Sequence, residues 1–536
     1  MITHTKAITV NGLESSVVEV EVDINNWLPA FTIVGLPDQW VQESKERLKS
    51  AMKSSETRLP TTRITVNLAP ANIKKSGPSF DLSIAIWILR NDWWITEDKL
   101  IDESVFVGEL ALDWRLRVID SVLPITIWAK EKWFKRIFVP KWNSVEASII
   151  PWIDVIWVDS LKDLIDILNL NIEPKIEEKL DFTKFKTSWD NFLEKNDFKY
   201  ILWQNHAKRA LEIAASGGHN IIMEWPPWSW KTMLAKSFST ILPDLTVDEA
   251  IEISKIYSIS GLLTPENPII KHRPFRTVHH TASWVSIIWG GRNANPWEIS
   301  LAHKWVLFLD EILEFQKSVL EVLRQPLEDW EVTVTRINAT YKYPAKFTLV
   351  GALNPCPCGY LTDDSRDCVC SPKQILNYRW RLSWPLLDRI DLFIEVPKVE
   401  TSKFWNKDSY EWVETSAEIK IRVEKARKIQ VERFKEIWIT SNSEMWTKEI
   451  NKYCQLSPDS EWVLKQAVSS MNLSARAYYR ILKLSRTIAD LEDSENIETN
   501  HILESLSFRK KRGNIKNKKK QKIKSFCYFV FYFSVL

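Results

Sequence analysis

Glycine is scarce in this chain, and its scarcity restricts the turns that the backbone can make. The 536 residues include 12 Gly but 28 Trp, whereas an average usage of about 7% would give roughly 38 glycines. Tryptophans occupy turn contexts such as Asn26-Trp27-Leu28-Pro29 and Leu112-Asp113-Trp114-Arg115. Such positions call for a positive φ, which glycine tolerates and a bulky side chain does not.

The Trp and Gly counts together come close to the expected number of glycines, and this coincidence suggests a decoding explanation. A genuine excess of indoles would instead indicate an aromatic-rich binding protein. We favour the hypothesis that UGA codons, which the source organism reads as Gly, are written here as Trp. The abundance of Lys, Ile and Asn, typical of an AT-rich genome, is compatible with it.

Composition and charge restrict the class of protein. With 45% hydrophobic and 26% charged residues, the chain fits a soluble globular protein of two to four domains. Residues 509–524 carry ten Lys or Arg and no acid, so the remainder is net acidic and any nucleic-acid surface must be local. The absence of a signal peptide and of an apolar run of ~18 residues predicts a cytoplasmic protein.

Three regions and a tail are predicted, giving an α/β multidomain fold. Residues 1–170 alternate strand-like and helical stretches, as in a compact α/β domain, and the charged residues 171–197 form a linker. In residues 198–400, strands followed by loops and helices recur, as in a parallel-sheet nucleotide-binding domain. Residues 415–508 predict an all-α lid. The tail, 509–536, is basic and then apolar; it is either a membrane-surface anchor or a disordered or spuriously translated end.

A phosphate-binding loop is predicted between an apolar strand, Ile221–Glu224, and a following helix. The pattern G-x-x-x-x-G-K-[ST] requires glycine because backbone N–H groups turn inward around the phosphates. Lys231 would reach the β- and γ-phosphates and Thr232 would bind Mg²⁺. The alternative is an ordinary strand–turn–helix with surface Trp. The pattern is complete only if Trp is read as Gly in the run Trp225, Pro226, Pro227, Trp228, Ser229, Trp230, Lys231 and Thr232.

Further polar residues follow buried strands downstream. The apolar strand Val306–Leu309 ends in Asp310, which would hold Mg²⁺ through water, and Glu311, which would polarise the attacking water. Such an ending is also common in purely structural strands. After the next strand comes Asn354, at the position of a polar sensor, and Arg389 offers a guanidinium for a neighbouring subunit's γ-phosphate. The alternative for this arginine is a surface salt bridge with a nearby aspartate.

Several longer stretches resemble the YifB/ComM family of Mg-chelatase-like AAA+ ATPases, and the likeness extends over about residues 5–508. The stretches are His206–Ala215, Pro274–Thr281, Glu298–His303, Asn354–Gly359 and Ser383–Asp391. Family glycines fall where this chain has Trp27, Trp114, Trp203, Trp225, Trp228, Trp230, Trp289, Trp297, Trp305, Trp330 and Trp384. This coincidence supports the decoding hypothesis independently of composition.

The resemblance implies an AAA+ P-loop α/β core in an oligomeric ring, expected to be a hexamer, that binds ATP and Mg²⁺ between subunits. Arg389 resembles the arginine finger, and Arg476 resembles the sensor arginine of the lid. Proteins of the ComM type are DNA helicases that migrate branches during recombination and natural transformation, so DNA is the implied substrate. Glu331–Phe347 resembles a pore hairpin in which Arg336 and Lys342 would touch phosphates; the alternative is a hairpin with solvated charges.

The N-terminal region resembles the Lon-protease-like domain, a ribosomal S5 domain 2-like fold, through Asn67–Ala71 and Ser79–Leu82. Ser79 falls near the nucleophile position of Lon proteases. The stretch Val118–Ile127, where the partner lysine should lie, contains no lysine. A serine without a base is a weak nucleophile, so we expect a scaffold or interaction module rather than a protease.

Four cysteines within fifteen residues form the last candidate site: Cys356, Cys358, Cys368 and Cys370. Four thiolates can hold a tetrahedral Zn²⁺, although C-x-C spacing is less common than C-x₂-C. A redox pair and four unliganded thiols are the alternatives. The leading functional hypothesis is an ATP-driven DNA motor. The alternative is a magnesium-chelatase-like ATPase that remodels a protein or tetrapyrrole complex with partner subunits.

Overall fold

The structure, a computed structural model, describes residues 5–509 with internal gaps. The residues outside it in that range are 56, 58, 76, 96–97, 181–194, 227–230, 274, 283–288, 291–294, 297, 336–339, 363–365, 398–412, 438 and 472. Most of the predicted linker and the whole tail from residue 510 therefore lie outside the described residues. No helix within the described part of the chain is long and apolar enough to cross a membrane.

The strands alternate with helices over most of the described chain. The strands are β1 (Thr5–Asn11), β2 (Glu14–Asn25), β3 (Ala30–Val34), β4 (Arg63–Ala69), β5 (Ser104–Phe106), β6 (Glu109–Leu110), β7 (Leu116–Arg117), β8 (Arg136–Pro140), β9 (Asp154–Val158), β10 (Ile221–Glu224), β11 (Phe275–Val278), β12 (Trp289–Gly290), β13 (Asn295–Pro296), β14 (Val306–Leu309), β15 (Glu331–Thr335), β16 (Thr340–Pro344), β17 (Thr348–Leu353) and β18 (Leu392–Glu395).

The α-helices are numbered in the same way. They are α1 (Gln39–Ser54), α2 (Asp81–Asn91), α3 (Asp98–Asp102), α4 (Val122–Glu131), α5 (Ser144–Ser148), α6 (Leu161–Leu168), α7 (Asn205–Gly217), α8 (Lys231–Phe238), α9 (Val247–Ile259), α10 (Glu298–Leu301), α11 (Lys317–Val322), α12 (Pro326–Asp329), α13 (Pro372–Arg379), α14 (Trp384–Leu387), α15 (Ser416–Arg433), α16 (Thr447–Tyr453), α17 (Pro458–Met471), α18 (Ala475–Leu491) and α19 (Thr499–Ser507).

The N-terminal part contains a four-stranded sheet in the order β1-β2-β4-β3 and a parallel three-stranded sheet in the order β5-β8-β9. In β2, Val18, Val20 and Val22 are buried and alternate with acidic residues. This alternation gives the strand one apolar face. Helix α2 packs on that face, and the Trp87 indole N–H donates to the carbonyl of Val20.

The central part is a parallel five-stranded sheet in the order β11-β14-β17-β10-β18. Strands β10 and β14 are buried along their whole length, as expected for a sheet covered on both faces. Because all five strands run in the same direction, their carboxyl ends meet at one edge. The mixed α/β architecture with a parallel sheet fits an AAA+ P-loop core.

The described residues from 413 to 509 form helices that dock against the central sheet through a buried carboxylate. Asp391, just before β18, accepts hydrogen bonds from the Asn220 backbone N–H (3.0 Å) and from Arg480 of α18 (2.5 Å). His219 lies 3.6 Å from the same carboxylate. Burial acts to raise the pKa of Asp391, but Arg480 and His219 hold it well below its ordinary value.

The N-terminal part contacts the central part through α9. Ser258 of α9 donates to the buried carboxylate of Glu146 (2.6 Å), which also accepts from the Leu123 backbone N–H at the start of α4 (3.0 Å). Ser121 returns a backbone hydrogen bond to the Ser258 carbonyl (3.1 Å). Burial raises the pKa of Glu146, and the hydrogen bonds that it accepts oppose that shift.

Tryptophan recurs at backbone positions that favour glycine. Twelve non-glycine residues in the described part of the chain have positive φ, and six of them are Trp: Trp93, Trp114, Trp133, Trp152, Trp203 and Trp330. Trp133 follows the end of α4, where the Phe134 N–H bonds the Ala129 carbonyl and the Trp133 N–H bonds the Lys130 carbonyl. This pair of bonds is the Schellman motif, whose left-handed residue is usually glycine. The backbone thus supports the hypothesis that these residues are glycine in the native protein.

The decoding hypothesis predicts that glycine stabilises these positions. Trp114→Gly, Trp133→Gly and Trp152→Gly are each expected to raise the free energy of unfolding by about 1 kcal/mol, because left-handed backbone costs an L side chain roughly 1–2 kcal/mol. Trp462→Gly, in the interior of α17, is the control and is expected to lower stability by about 0.5 kcal/mol. Urea denaturation followed by circular dichroism measures both. Mass spectrometry of the native protein would contradict the hypothesis by finding Trp in the peptide 225–230.

The Glu146–Ser258 contact predicts a specific loss of stability. Ser258→Ala removes one donor from a buried carboxylate and is expected to cost about 1–3 kcal/mol. Ser260→Ala is the matched control. Among the described residues, the Ser260 hydroxyl donates only to the Ile256 carbonyl in the helix that it follows. Equal thermal unfolding curves for the two variants would show that the hydrogen bond between the N-terminal and central parts contributes nothing to stability.

Candidate nucleotide-binding site

Four predicted site residues meet at the carboxyl edge of the central sheet. Lys231 begins α8, Asp310 and Glu311 follow β14, and Asn354 follows β17. The Lys231 ammonium donates a hydrogen bond to the Asn354 side-chain oxygen. Burial lowers the pKa of Lys231, and attraction by Asp310 and Glu311 opposes that shift. Thr232 is exposed in the first turn of α8. These placements follow from the parallel strands, whose ends converge.

The loop that should cradle the phosphates is only partly described. Pro226 is described, but Pro227, Trp228, Ser229 and Trp230 lie outside the described residues. The Trp225 backbone N–H donates to the Leu353 carbonyl (2.9 Å), which continues the β10–β17 ladder by one residue. The predicted strand and helix on either side of the loop are therefore placed as a P-loop requires.

The Trp225 indole is buried rather than at the surface. It is 1% exposed within the apolar cluster under α7 and α8, and its ring N–H has no acceptor among the described residues. Trp305, just before β14, is 2% exposed, and its ring N–H also lacks an acceptor among the described residues. Buried donors are normally bonded, so both positions suit a residue without a polar side chain. Both belong to the set at which the family has glycine.

The acidic pair after β14 has a distinct local geometry. Glu311 has a φ of 50°, and its backbone N–H bonds the Asp310 carboxylate (2.9 Å). The Glu311 side chain is 44% exposed. Strained backbone of this kind is often found at functional sites.

Two residues that the sequence did not single out support this edge. The imidazole of His280 lies 3.5 Å from the Glu311 carboxylate. Arg379, at the end of α13, bonds the Glu224 carboxylate (2.7 Å) and the Pro355 carbonyl (3.1 Å). It thus braces the residues next to the loop and next to Asn354. No local sequence pattern indicates either contact, because distant segments provide the partners.

The two predicted arginines lie close to each other. Among the described residues, their contacts are with residues outside the cluster at the carboxyl edge of the sheet. Arg389 is buried and bonds the Glu328 carboxylate and the Pro385 carbonyl (2.6 Å). Arg476, in the first turn of α18, lies 3.3 Å from the other oxygen of Glu328. The surface salt bridge with a nearby aspartate, considered as the alternative for Arg389, is wrong, because its partner is Glu328. The role of Arg389 toward a neighbouring subunit and the role of Arg476 as the sensor arginine of the lid stay predictions.

The four cysteine sulfurs converge in the segment after β17. They all lie within 4.8 Å of one another, and Cys356 is 3.3 Å from Cys358 and 3.6 Å from Cys368. Tetrahedral Zn–S bonds of ≈ 2.3 Å place sulfurs about 3.8 Å apart, close to these distances. Burial acts to raise the pKa of Cys358, but hydrogen bonds, first from the Tyr360 backbone N–H, lower it to about 6. The cluster can hold a metal ion.

Ser79, considered as a protease nucleophile, lies in a short turn before α2. Its carbonyl accepts a hydrogen bond from the Gly108 N–H (3.4 Å). Lys75 is buried, and its ammonium donates to the Pro70 carbonyl. Burial lowers the pKa of Lys75. These contacts give the two residues structural partners, and the likeness of this region to Lon proteases stays a prediction.

Comparison with known proteins agrees with this geometry. Family models match three regions: "Subunit ChlI of Mg-chelatase" over residues 20–143, "Magnesium chelatase, subunit ChlI" over 197–404 and "Magnesium chelatase, subunit ChlI C-terminal" over 413–509. The chain is 42% identical to "Competence protein ComM" of Haemophilus influenzae, over 93% of this chain and 95% of that protein. It is 37% identical to "Uncharacterized protein YifB" of Escherichia coli, over 95% and 96%.

Proposed function

The chain belongs to the YifB/ComM family of magnesium-chelatase-like AAA+ ATPases, and we propose that it is an ATP-driven motor acting on DNA. The observation that carries the ATPase half is the cluster of Lys231, Asn354, Asp310 and Glu311 at one sheet edge. A partly buried ammonium held by a neutral amide beside two carboxylates suits a phosphate chain with a bound divalent cation. Bound Mg²⁺ would neutralise charge on the transferring phosphoryl group.

Each residue has a defined part in this proposal. Lys231 binds the β- and γ-phosphate oxygens, and Thr232 and Asp310 hold Mg²⁺ directly and through water. Glu311 accepts a proton from the attacking water, and Asn354 orients that water. The His280 imidazole next to Glu311 fixes the position of the carboxylate. Arg389 stabilises the phosphate charge of a nucleotide held by the adjacent subunit in a ring, expected to have six subunits, and Arg476 acts as the sensor arginine of the lid.

The DNA half of the proposal rests on the β15–β16 hairpin and on the relatives. Lys342 lies on β16 of the hairpin, where its ammonium pairs with Glu331 (2.9 Å). Because its side chain is exposed, it is one candidate for contact with DNA phosphates. Arg336, the other candidate, lies outside the described residues. The H. influenzae relative is named a competence protein. We therefore expect a cytoplasmic enzyme that binds single-stranded or branched DNA during recombination.

A second candidate function is favoured by the ChlI family models themselves. A magnesium-chelatase-like ATPase would remodel a partner protein or a tetrapyrrole complex rather than move along DNA. Both candidates share the ATPase site, so the response of ATP hydrolysis to DNA separates them.

Zinc is proposed as a structural cofactor of the cysteine cluster. The four sulfurs are close enough for tetrahedral binding. Because the cluster lies in the segment after Asn354 and Pro355, a bound ion would hold that segment at the catalytic edge.

The ATPase is expected to depend on the acidic pair and the lysine. In full-length protein carrying Trp225→Gly, Trp228→Gly and Trp230→Gly, Glu311→Gln should lower ATP hydrolysis by roughly 10²–10⁴-fold while ATP binding persists. Lys231→Ala should abolish ATP binding, and Lys236→Ala, on the same helix, should not. Phosphate release is measured with and without single-stranded and forked DNA. Stimulation by neither DNA would exclude the DNA motor and leave the chelatase-like alternative.

The zinc proposal predicts about one zinc ion per chain in purified protein, measured by atomic emission. Cys358→Ser is expected to remove most of the zinc, since a structural site needs all four ligands. Cys454→Ser, at a buried cysteine of the C-terminal helices, is the control and should leave the zinc content unchanged. Protein without zinc in every sample, or a Cys356–Cys358 disulfide found by mass spectrometry, would contradict the proposal.

A further inference from the structure

Glu328 joins the two predicted arginines into one cluster. It is the third residue of the short helix α12 and is 40% exposed. One of its oxygens binds Arg389, which is almost fully buried, and the other lies 3.3 Å from Arg476, which is 60% exposed. Two guanidinium groups therefore share one carboxylate, and the cluster keeps a net positive charge.

The two guanidinium groups have N–H donors that Glu328 does not use and that could bind an anion. Arg389 is 5% exposed, and its Nε–H has no acceptor among the described residues. A guanidinium can bind a phosphate through two parallel N–H groups, whereas Arg389 binds Glu328 through a single nitrogen. Arg476 presents most of its side chain to solvent. A phosphate group would thus offer these arginines more hydrogen bonds than Glu328 does.

The position of Glu328 in the chain connects the cluster with the hairpin. Asp329 ends α12, and Trp330 turns the chain with a φ of 56° into β15. The Trp330 carbonyl accepts a hydrogen bond from the Ala345 N–H (2.7 Å), just after the end of β16. Both strands of the hairpin are therefore held within a few residues of Glu328, so a displacement of α12 must move the base of the hairpin.

The segment that contains Glu328 begins at the acidic pair after β14. From Glu311, the chain passes through α11 and α12 to Glu328 and then into β15. One continuous stretch thus carries the proposed water-activating carboxylate, the counterion of the arginine pair and the hairpin. The short helices α11 and α12 connect these three points along the chain.

We propose that Glu328 is an exchangeable counterion that couples a neighbouring subunit's nucleotide to the β15–β16 hairpin. It holds Arg389 and Arg476 together until a phosphate of the nucleotide on the adjacent subunit replaces it, and its release shifts α12 and the hairpin base. This inference rests on the proposed ATPase function. The competing explanation is a static salt bridge that only fixes the arginines in place.

The two explanations predict opposite effects of Glu328→Gln on nucleotide binding. The amide keeps the size of the side chain but loses the negative charge, so it competes poorly for the arginines. We expect the assembled full-length protein, with glycine at 225, 228 and 230, to bind a non-hydrolysable ATP analogue several-fold more tightly after this change. A static salt bridge predicts weaker binding, because the arginines lose their support. Asp329→Asn, the neighbouring acid of the same helix, is the matched control and should bind like the parent chain.

Hydrogen–deuterium exchange of the hairpin peptide 331–344 gives the second readout. In the parent chain and in Asp329→Asn, the analogue is expected to change the exchange rate of this peptide at least threefold. In Glu328→Gln, the rate should be the same with and without the analogue. Glu328→Asp, which keeps the negative charge, should not bind the analogue more tightly than the parent chain. This variant controls for a folding defect caused by the amide of Glu328→Gln.

The outcomes separate the two levels of the proposal. A parent chain that does not bind the analogue would overturn the proposed ATPase function together with this inference. Binding without any hairpin response in the parent chain would overturn the role of Glu328 alone. Weaker binding in Glu328→Gln, or a preserved hairpin response, would do the same and would assign Glu328 to the static salt bridge.

Discussion

The parallel hydrogen bonding of three neighbouring strands is the constraint on which the candidate site depends. Strands β14, β17 and β10 are adjacent and run in the same direction, so the residues that follow each strand arrive at one edge. The contact between Lys231 and Asn354 crosses from β10 to β17 by this route, although 123 positions separate them in the chain. Shifting one of these strands by a residue would turn its side chains to the other face of the sheet and move its carboxyl end. Strand order and direction therefore determine which residues meet at this edge, and the individual side chains then determine what chemistry they can perform there.

Much of this edge could be predicted from the sequence because its signals are local. An apolar run followed by Lys231 and Thr232, and another ended by Asp310 and Glu311, each fit within a few residues. The positions of His280, Arg379 and Glu328 could not be predicted in the same way. Each of them functions through a partner that only the folded chain brings near, and a lone His, Arg or Glu in a polar segment carries no pattern. The partner of Arg389 was missed for that reason, since it lies 61 positions away.

The tryptophans show how a sequence and a backbone can disagree. The composition alone indicates too many indoles, but it cannot distinguish an aromatic-rich surface from misread glycines. The backbone adds independent information, because Trp93, Trp133 and Trp152 occupy left-handed conformations that a bulky residue rarely adopts. The buried Trp225 and Trp305 add unsatisfied ring N–H groups. By contrast, Trp87 is buried with its ring N–H bonded to Val20, so that position accommodates an indole well.

The clasp between Asp391, Arg480 and the backbone of Asn220 has a mechanical consequence. It fixes the C-terminal helices to the amino edge of the central sheet through a buried, charge-assisted contact, and such contacts are costly to open. A boundary of this kind makes a poor hinge. In the proposed ring, the helical part and the sheet of one subunit should therefore rotate together as one rigid body about the contact with the next subunit. Movement in such a ring would come from rigid subunits rotating relative to one another. It would not come from the C-terminal helices closing onto the central sheet within each subunit.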